Sequence, residues 1–68
     1  MLFAERLKTL MIEQNVNQST LAKNIGYTQR AVSKWVNGEA EPSATAVYLC
    51  AKFFDVSADY LLGLENYY

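Results

Sequence analysis

Four times within 68 residues the chain repeats one short pattern. An apolar residue precedes one whose side-chain oxygen can cap a helix, and a second apolar residue follows four positions after the cap. The four instances are Val16-Asn17 with Leu21, Tyr27-Thr28 with Val32, Pro42-Ser43 with Val47, and Val56-Ser57 with Leu61. Each is the arrangement of a helix N-cap closed by a hydrophobic staple, in which the cap oxygen accepts from first-turn amides that have no helical partner. Starts this closely spaced leave room for short helices and tight turns and little else. Gly26, Gly38 and Gly63 fall where three of the helices should stop, because glycine takes the left-handed conformation past a helix end at low cost. Ahead of the first cap, Phe3, Leu7, Leu10 and Met11 have the three-and-four spacing of an amphipathic helix. The expectation is therefore an all-α fold of five short helices over 2–14, 18–25, 29–37, 43–54 and 58–62. No segment alternates polar and apolar residues between hairpin turns, so no sheet is expected.

Just over half of the residues are hydrophobic and no long polar tract interrupts them, which argues for a folded globule. The chain is read as one domain over 1–68, a size that buries only about 60% of the surface its unfolded form exposes. No run reaches the roughly 18 apolar residues needed to cross a bilayer, so no membrane association is expected. The opening Met1-Leu2-Phe3-Ala4-Glu5-Arg6 lacks the basic and then sustained apolar stretch of a secretory signal. Cys50 is the single cysteine and sits among apolar neighbours, which points to a buried thiol in a cytoplasmic protein. With no histidine, no second cysteine and no glycine-rich phosphate loop, neither catalysis nor a metal or cofactor is expected.

The segment Gln18 to Asn37, QSTLAKNIGYTQRAVSKWVN, joins two of the expected helices across a tight turn. Helices joined in this way must approach closely at a steep angle. Ala22 is small enough to allow the approach, and Gly26 allows the turn. Leu21, Ile25, Val32 and Trp35 supply a shared apolar seam, which makes Trp35 a core residue rather than a stacking platform. Gln29, Arg30, Ser33 and Lys34 remain outward on the second helix. Glutamine pairs well with adenine, and arginine or lysine with guanine, although such a face is also an ordinary solvated surface. At the amino end of 18–25, free amides and the helix dipole favour an anion beside Asn17 and Gln18. Thr28 is first of all a cap. Lys8 and Lys23 read as solvating charges.

On these residues the chain resembles the lambda-repressor and Cro family of helix-turn-helix proteins, the Xre type. The resemblance runs from Phe3 to Leu64. It includes Trp35-Val36-Asn37-Gly38 followed by Pro42-Ser43, and the closing Val56-Ser57-Ala58-Asp59-Tyr60-Leu61-Leu62-Gly63. It implies sequence-specific binding to double-stranded DNA by a small transcriptional regulator, with helix 29–37 in the major groove. By position, it implies base contacts from Gln29, Arg30, Ser33 and Lys34. Phosphate contacts would come from Asn17, Gln18, Thr28, Asn37 and the Gly38 amide. It further implies a two-fold dimer on a palindromic operator. The chain has no room for the self-cleaving carboxy-terminal domain of many phage repressors, which fits a Cro-like regulator or a minimal immunity repressor of a phage or prophage.

Three departures bear on that expectation. Many relatives carry arginine and glutamate where this chain has Met11 and Val36. The paired change to apolar residues suggests that the two touch, since replacing a buried ion pair by packed hydrophobics is often neutral or stabilising. Glu39 and Glu41 lie in a loop that relatives often make basic, and there they either repel the phosphate backbone or point away and only solubilise. Leu49 and Phe53 share a helix face and, with Tyr60, Leu64, Tyr67 and Tyr68, suggest an apolar carboxy-terminal surface for a dimer or partner. The other reading of these residues is that Phe53 fills the small core and the last tyrosines fray. Net charge is −1, from six basic and seven acidic residues, which suits DNA poorly. Lys23, Arg30 and Lys34 nevertheless fall inside the motif, and five of the seven acids (Glu39, Glu41, Asp55, Asp59, Glu65) lie after it. The alternative is a protein-interaction module that modulates another phage regulator, with weak or no DNA binding of its own.

Overall fold

A computed structural model describes residues 2–66, and Met1, Tyr67 and Tyr68 lie outside it. It contains α1 (Phe3–Glu13), α2 (Gln18–Ile25), α3 (Gln29–Val36), α4 (Ala44–Phe54) and α5 (Ala58–Leu62), with no strand among the described residues. All five expected helices form. The differences are at the ends. Leu2 flanks α1 without a side-chain cap bond, Ser43 caps α4 from outside it, and Asn37 follows α3 as its C-cap.

The four anticipated caps are made. Asn17 accepts from the Thr20 amide at 2.7 Å, Thr28 from Ala31 at 3.1 Å, Ser43 from Ala46 at 3.1 Å and Ser57 from Tyr60 at 3.0 Å. The stops share one geometry that the glycines only partly announced. Past each helix one residue has positive φ: Asn15, Gly26, Gly38, Asp55 and Gly63 in turn. The amide of the next residue reaches back five positions, as in Val16 to Met11, Tyr27 to Ala22, Glu39 to Lys34, Val56 to Ala51 and Leu64 to Asp59. That six-to-one bond is the Schellman closure, and it satisfies carbonyls the helix leaves without partners. In three of the turns the left-handed residue, an apolar residue and a cap follow directly: Asn15-Val16-Asn17, Gly26-Tyr27-Thr28 and Asp55-Val56-Ser57. Three residues thus end one helix and start the next.

The main helix packing closes into a ring: α1 on α3, α3 on α2, α2 on α4, α4 on α5, and α5 back on α1. The core inside it includes Phe3, Leu7, Leu10, Leu21, Val32, Trp35, Cys50, Phe54 and Leu61. Trp35 is 5% exposed and meets Phe3 and Tyr27 edge-on at 6.2 and 5.1 Å. It is core, as its spacing implied. The Tyr27 hydroxyl lies 3.2 Å from Ser43 Oγ, which ties the α2–α3 turn to the start of α4. Gln14 donates to the Phe54 carbonyl at 3.2 Å, closing the carboxyl end of α4. Tyr60 departs from expectation. It is 8% exposed and belongs to the core, with the Arg6 guanidinium 4.4 Å over its ring.

Candidate nucleic-acid interface

Helix α3 is short and strongly two-sided. Val32 and Trp35 are buried, while Gln29, Arg30 and Lys34 are exposed and Ser33 is half-buried. At 100° per residue, Arg30, Ser33 and Asn37 follow one another up the middle of the outer face, with Gln29 and Lys34 to either side. The four residues expected on base edges therefore share one surface, and Asn37 continues it. Asn37 Nδ2 donates to Ser33 Oγ at 3.5 Å.

The residues expected on phosphates divide into two groups. Asn17 holds the Thr20 amide, so the amides before it, on Gln18 and Ser19, are the first-turn donors left to an outside acceptor. Thr28 does the same for α3 by holding Ala31. Gly38 is different. Its amide, expected on a phosphate, donates to the Trp35 carbonyl at 3.1 Å, and the residue's contribution is its φ of 73°. It turns the chain after α3 and has no amide to spare.

The acidic loop residues Glu39 and Glu41 are both exposed, and Glu41 borders a small hollow with Phe3, Ala4, Trp35 and Pro42. Met11 is buried and Val36 half-buried, and both line one depression between α1, α2 and α3. Of the expected apolar surface, Leu49 and Phe53 are half-buried beside Asn24, Ile25 and Lys52, and Leu64 is 73% exposed. Tyr60 is not on it, and Tyr67 lies outside the described residues. Spacing alone did not mark Lys8 and Ile12, which flank the depression with Met11.

The model of the helix-turn-helix family matches residues 7–61, from Leu7 to Leu61. The chain belongs to this family, in its lambda-repressor-like (Xre) branch. As a helix-turn-helix protein it is 35% identical over 64 residues to the HTH-type transcriptional activator BcrR of Enterococcus faecalis, an alignment covering 94% of this chain and 31% of the relative. It is 31% identical over 61 residues to repressor protein C2 of Salmonella phage P22, covering 90% of this chain and 28% of the relative. It therefore spans about a third of the length of these curated relatives. Its fold superposes on the P22 c2 repressor in complex with synthetic operator 9T with a TM-score of 0.87 at 29% identity, over 96% of this chain and 98% of that one. The solution structure of the P22 c2 DNA-binding domain gives a TM-score of 0.84 at 31% identity, over 91% and 82%.

Proposed function

We propose that this helix-turn-helix protein binds double-stranded DNA sequence-specifically and acts as a transcriptional regulator. The observation that carries the reading is the outer face of α3, the second helix of the motif, where Gln29 and Arg30 open the helix and Ser33 and Lys34 continue the same face. In this architecture that helix enters the major groove and its amino-terminal side chains meet base edges. Gln29 suits adenine N6 and N7, and Arg30 and Lys34 suit guanine O6 and N7. The free amides at the start of α2, beside Asn17 and Gln18, and the ends of Thr28 and Asn37 serve as phosphate contacts that fix the register. A relative of the same fold is described bound to an operator, which supports the reading. The two-fold dimer belongs to the same proposal, with Leu49 and Phe53 offered as its surface.

Selection from a randomised duplex pool, at low and then at physiological salt, tests the proposal. The expected product is a palindrome whose half-sites lie about one helical turn, roughly 10 base pairs, apart. Arg30→Ala should cost roughly 1–3 kcal/mol of operator binding and relax preference at one base pair. Recovery of no consensus, with only weak salt-labile retention, rejects the reading.

A further inference from the structure

Asn37 is followed by Gly38, whereas Asn15, Asn17, Asn24 and Asn66 precede Val16, Gln18, Ile25 and Tyr67. An asparagine carboxamide is open to attack by the backbone nitrogen of the next residue, and glycine, with no Cβ in the way, allows the closest approach. Asn37 is exposed, and its carboxamide is held loosely, with Nδ2 donating to Ser33 Oγ at 3.5 Å. The fold keeps the two reacting groups apart. Asn37 closes α3 at a ψ of −1°, which brings the Gly38 nitrogen over Asn37's own nitrogen and away from the side chain. The Gly38 amide is also engaged, on the Trp35 carbonyl at 3.1 Å, and the Glu39 amide completes the turn on the Lys34 carbonyl at 2.8 Å. Attack therefore needs rotation about the Asn37 ψ and release of these bonds, a local opening of the kind that helix ends make most readily. A Cβ on Gly38 would meet no atom within 4 Å, so no neighbour blocks the motion on that side.

We propose that Asn37 is a deamidation site whose rate is set by opening of the end of α3, and that its conversion to a carboxylate lowers the protein's hold on DNA. In the open turn the Gly38 nitrogen gives its proton to solvent base and bonds to Asn37 Cγ, the Cγ–Nδ2 bond breaks, and ammonia leaves. Water then opens the cyclic imide. Cleavage at Cγ gives aspartate with the backbone intact. Cleavage at the former main-chain carbonyl gives isoaspartate, with an extra carbon in the chain before Gly38. Either product puts an anion at the negative end of the α3 dipole, one turn from Lys34. An anion there repels phosphate and offsets a cation of the outer face. The effect on affinity rests on the DNA-binding reading above, and the chemistry does not. With Asn37 against the DNA backbone, as that reading has it, bound operator holds the turn shut, because a ligand that needs the closed turn depletes the open one. Free protein thus ages while operator-bound protein is spared.

The test stores wild type and Asn37→Gln at mildly alkaline pH: alone, with the selected operator duplex, with a scrambled duplex at physiological salt, and in urea. Peptide mapping by mass spectrometry, with chromatographic separation of aspartate from isoaspartate, follows every asparagine. In the free folded protein, modification should accumulate at Asn37 ahead of Asn15, Asn17, Asn24 and Asn66. Urea should speed it several-fold, and the operator should slow it several-fold where the scrambled duplex does not. Stored free wild type, and fresh Asn37→Asp, should bind the operator about ten-fold more weakly, with the slope of log affinity against log salt lower by about one. Loss of folded protein would leave that slope unchanged, so the slope identifies the charge. Stored Asn37→Gln should keep its initial affinity. Modification elsewhere first, or equal rates in the folded protein and in urea, overturns the site or its gating. Equal rates with and without operator, or Asn37→Asp binding as wild type does, overturns the effect on DNA. A wild type that selects no operator defeats the DNA reading and the affinity effect with it, while mapping of the free protein still decides the site.

Discussion

Arg6 is half-buried on α1 and spends its guanidinium on the other end of the chain. It lies over the Tyr60 ring and donates to the Tyr60 carbonyl at 3.0 Å and to the Glu65 carbonyl. Next to it, Leu2 Cγ comes within 3.3 Å of where a Cβ on Gly63 would stand, so the first and last described turns are clasped together. Arg6→Met keeps the aliphatic stem and removes the charge and its donors. It should destabilise the protein by about 2 kcal/mol, the scale of one charged hydrogen bond, and lower the midpoint by on the order of 10 °C. Calorimetry of the pair measures this directly, and an unchanged midpoint would show the clasp to be inert. Cys50 is fully buried, and burial pushes its thiol from the usual 9.0 up to about 12. The raised value means that neutral burial helps the folded state in full below about pH 9. Between about 9 and 12 the unfolded chain loses the proton and the folded chain keeps it, so that help declines by up to about 1.4 kcal/mol per pH unit. Urea unfolding of wild type and Cys50→Ala should therefore show stabilities that converge as pH rises above about 9, with parallel profiles below it. Tyr60 illustrates what local reading misses. It was grouped with Leu64 on an expected carboxy-terminal surface, yet it is buried, and an arginine 54 positions earlier donates to its carbonyl.

At the scale of the element, the helices are cut by devices contained within six residues. An αL residue and a back-reaching amide stop each helix, and a cap with its staple starts the next, which is why the boundaries were readable to within a residue or two. Two stops use residues other than glycine: Asn15 at φ 54° and Asp55 at φ 58°. Short polar side chains tolerate that conformation, but still at a cost relative to glycine. Asp55→Gly should stabilise the fold by up to about 1 kcal/mol. Gly26→Ala, at φ 79° and with open space around it, should destabilise by a similar amount for purely conformational reasons. Chemical denaturation midpoints with unchanged slopes would verify both, and the two variants moving in the same direction would refute the account. The outer face of α3 was legible for the same local reason. A single helix of fixed periodicity with Val32 and Trp35 inward leaves Gln29, Arg30, Ser33 and Lys34 outward, whatever surrounds it.

The whole molecule adds a closed ring of helix contacts and, with it, surfaces built from several elements. Leu49 and Phe53 on α4 share a shallow hollow with Asn24 and Ile25 of α2, and Phe53 meets Phe54 edge-on at 4.9 Å. If this is the dimer surface, Phe53→Asp should abolish cooperative binding to a full palindrome while an isolated half-site is still bound. Operator titrations with sedimentation of the free protein separate that result from simple unfolding, which would remove half-site binding too. The charge balance also bears on the whole molecule, because a net −1 is compatible with an α3 face carrying Arg30 and Lys34 while five of the seven acids follow the motif. By itself the sequence determined five helices, their caps and stops, the motif at α2 and α3 and the side chains it turns outward, since all of these follow from interactions spanning a few residues. Only the tertiary structure decided that α5 closes on α1 under Arg6. The same is true of Lys8, Ile12 and Val36 meeting at one depression. Whether distant segments meet depends on how the chain closes around its core, and no local pattern encodes that closure.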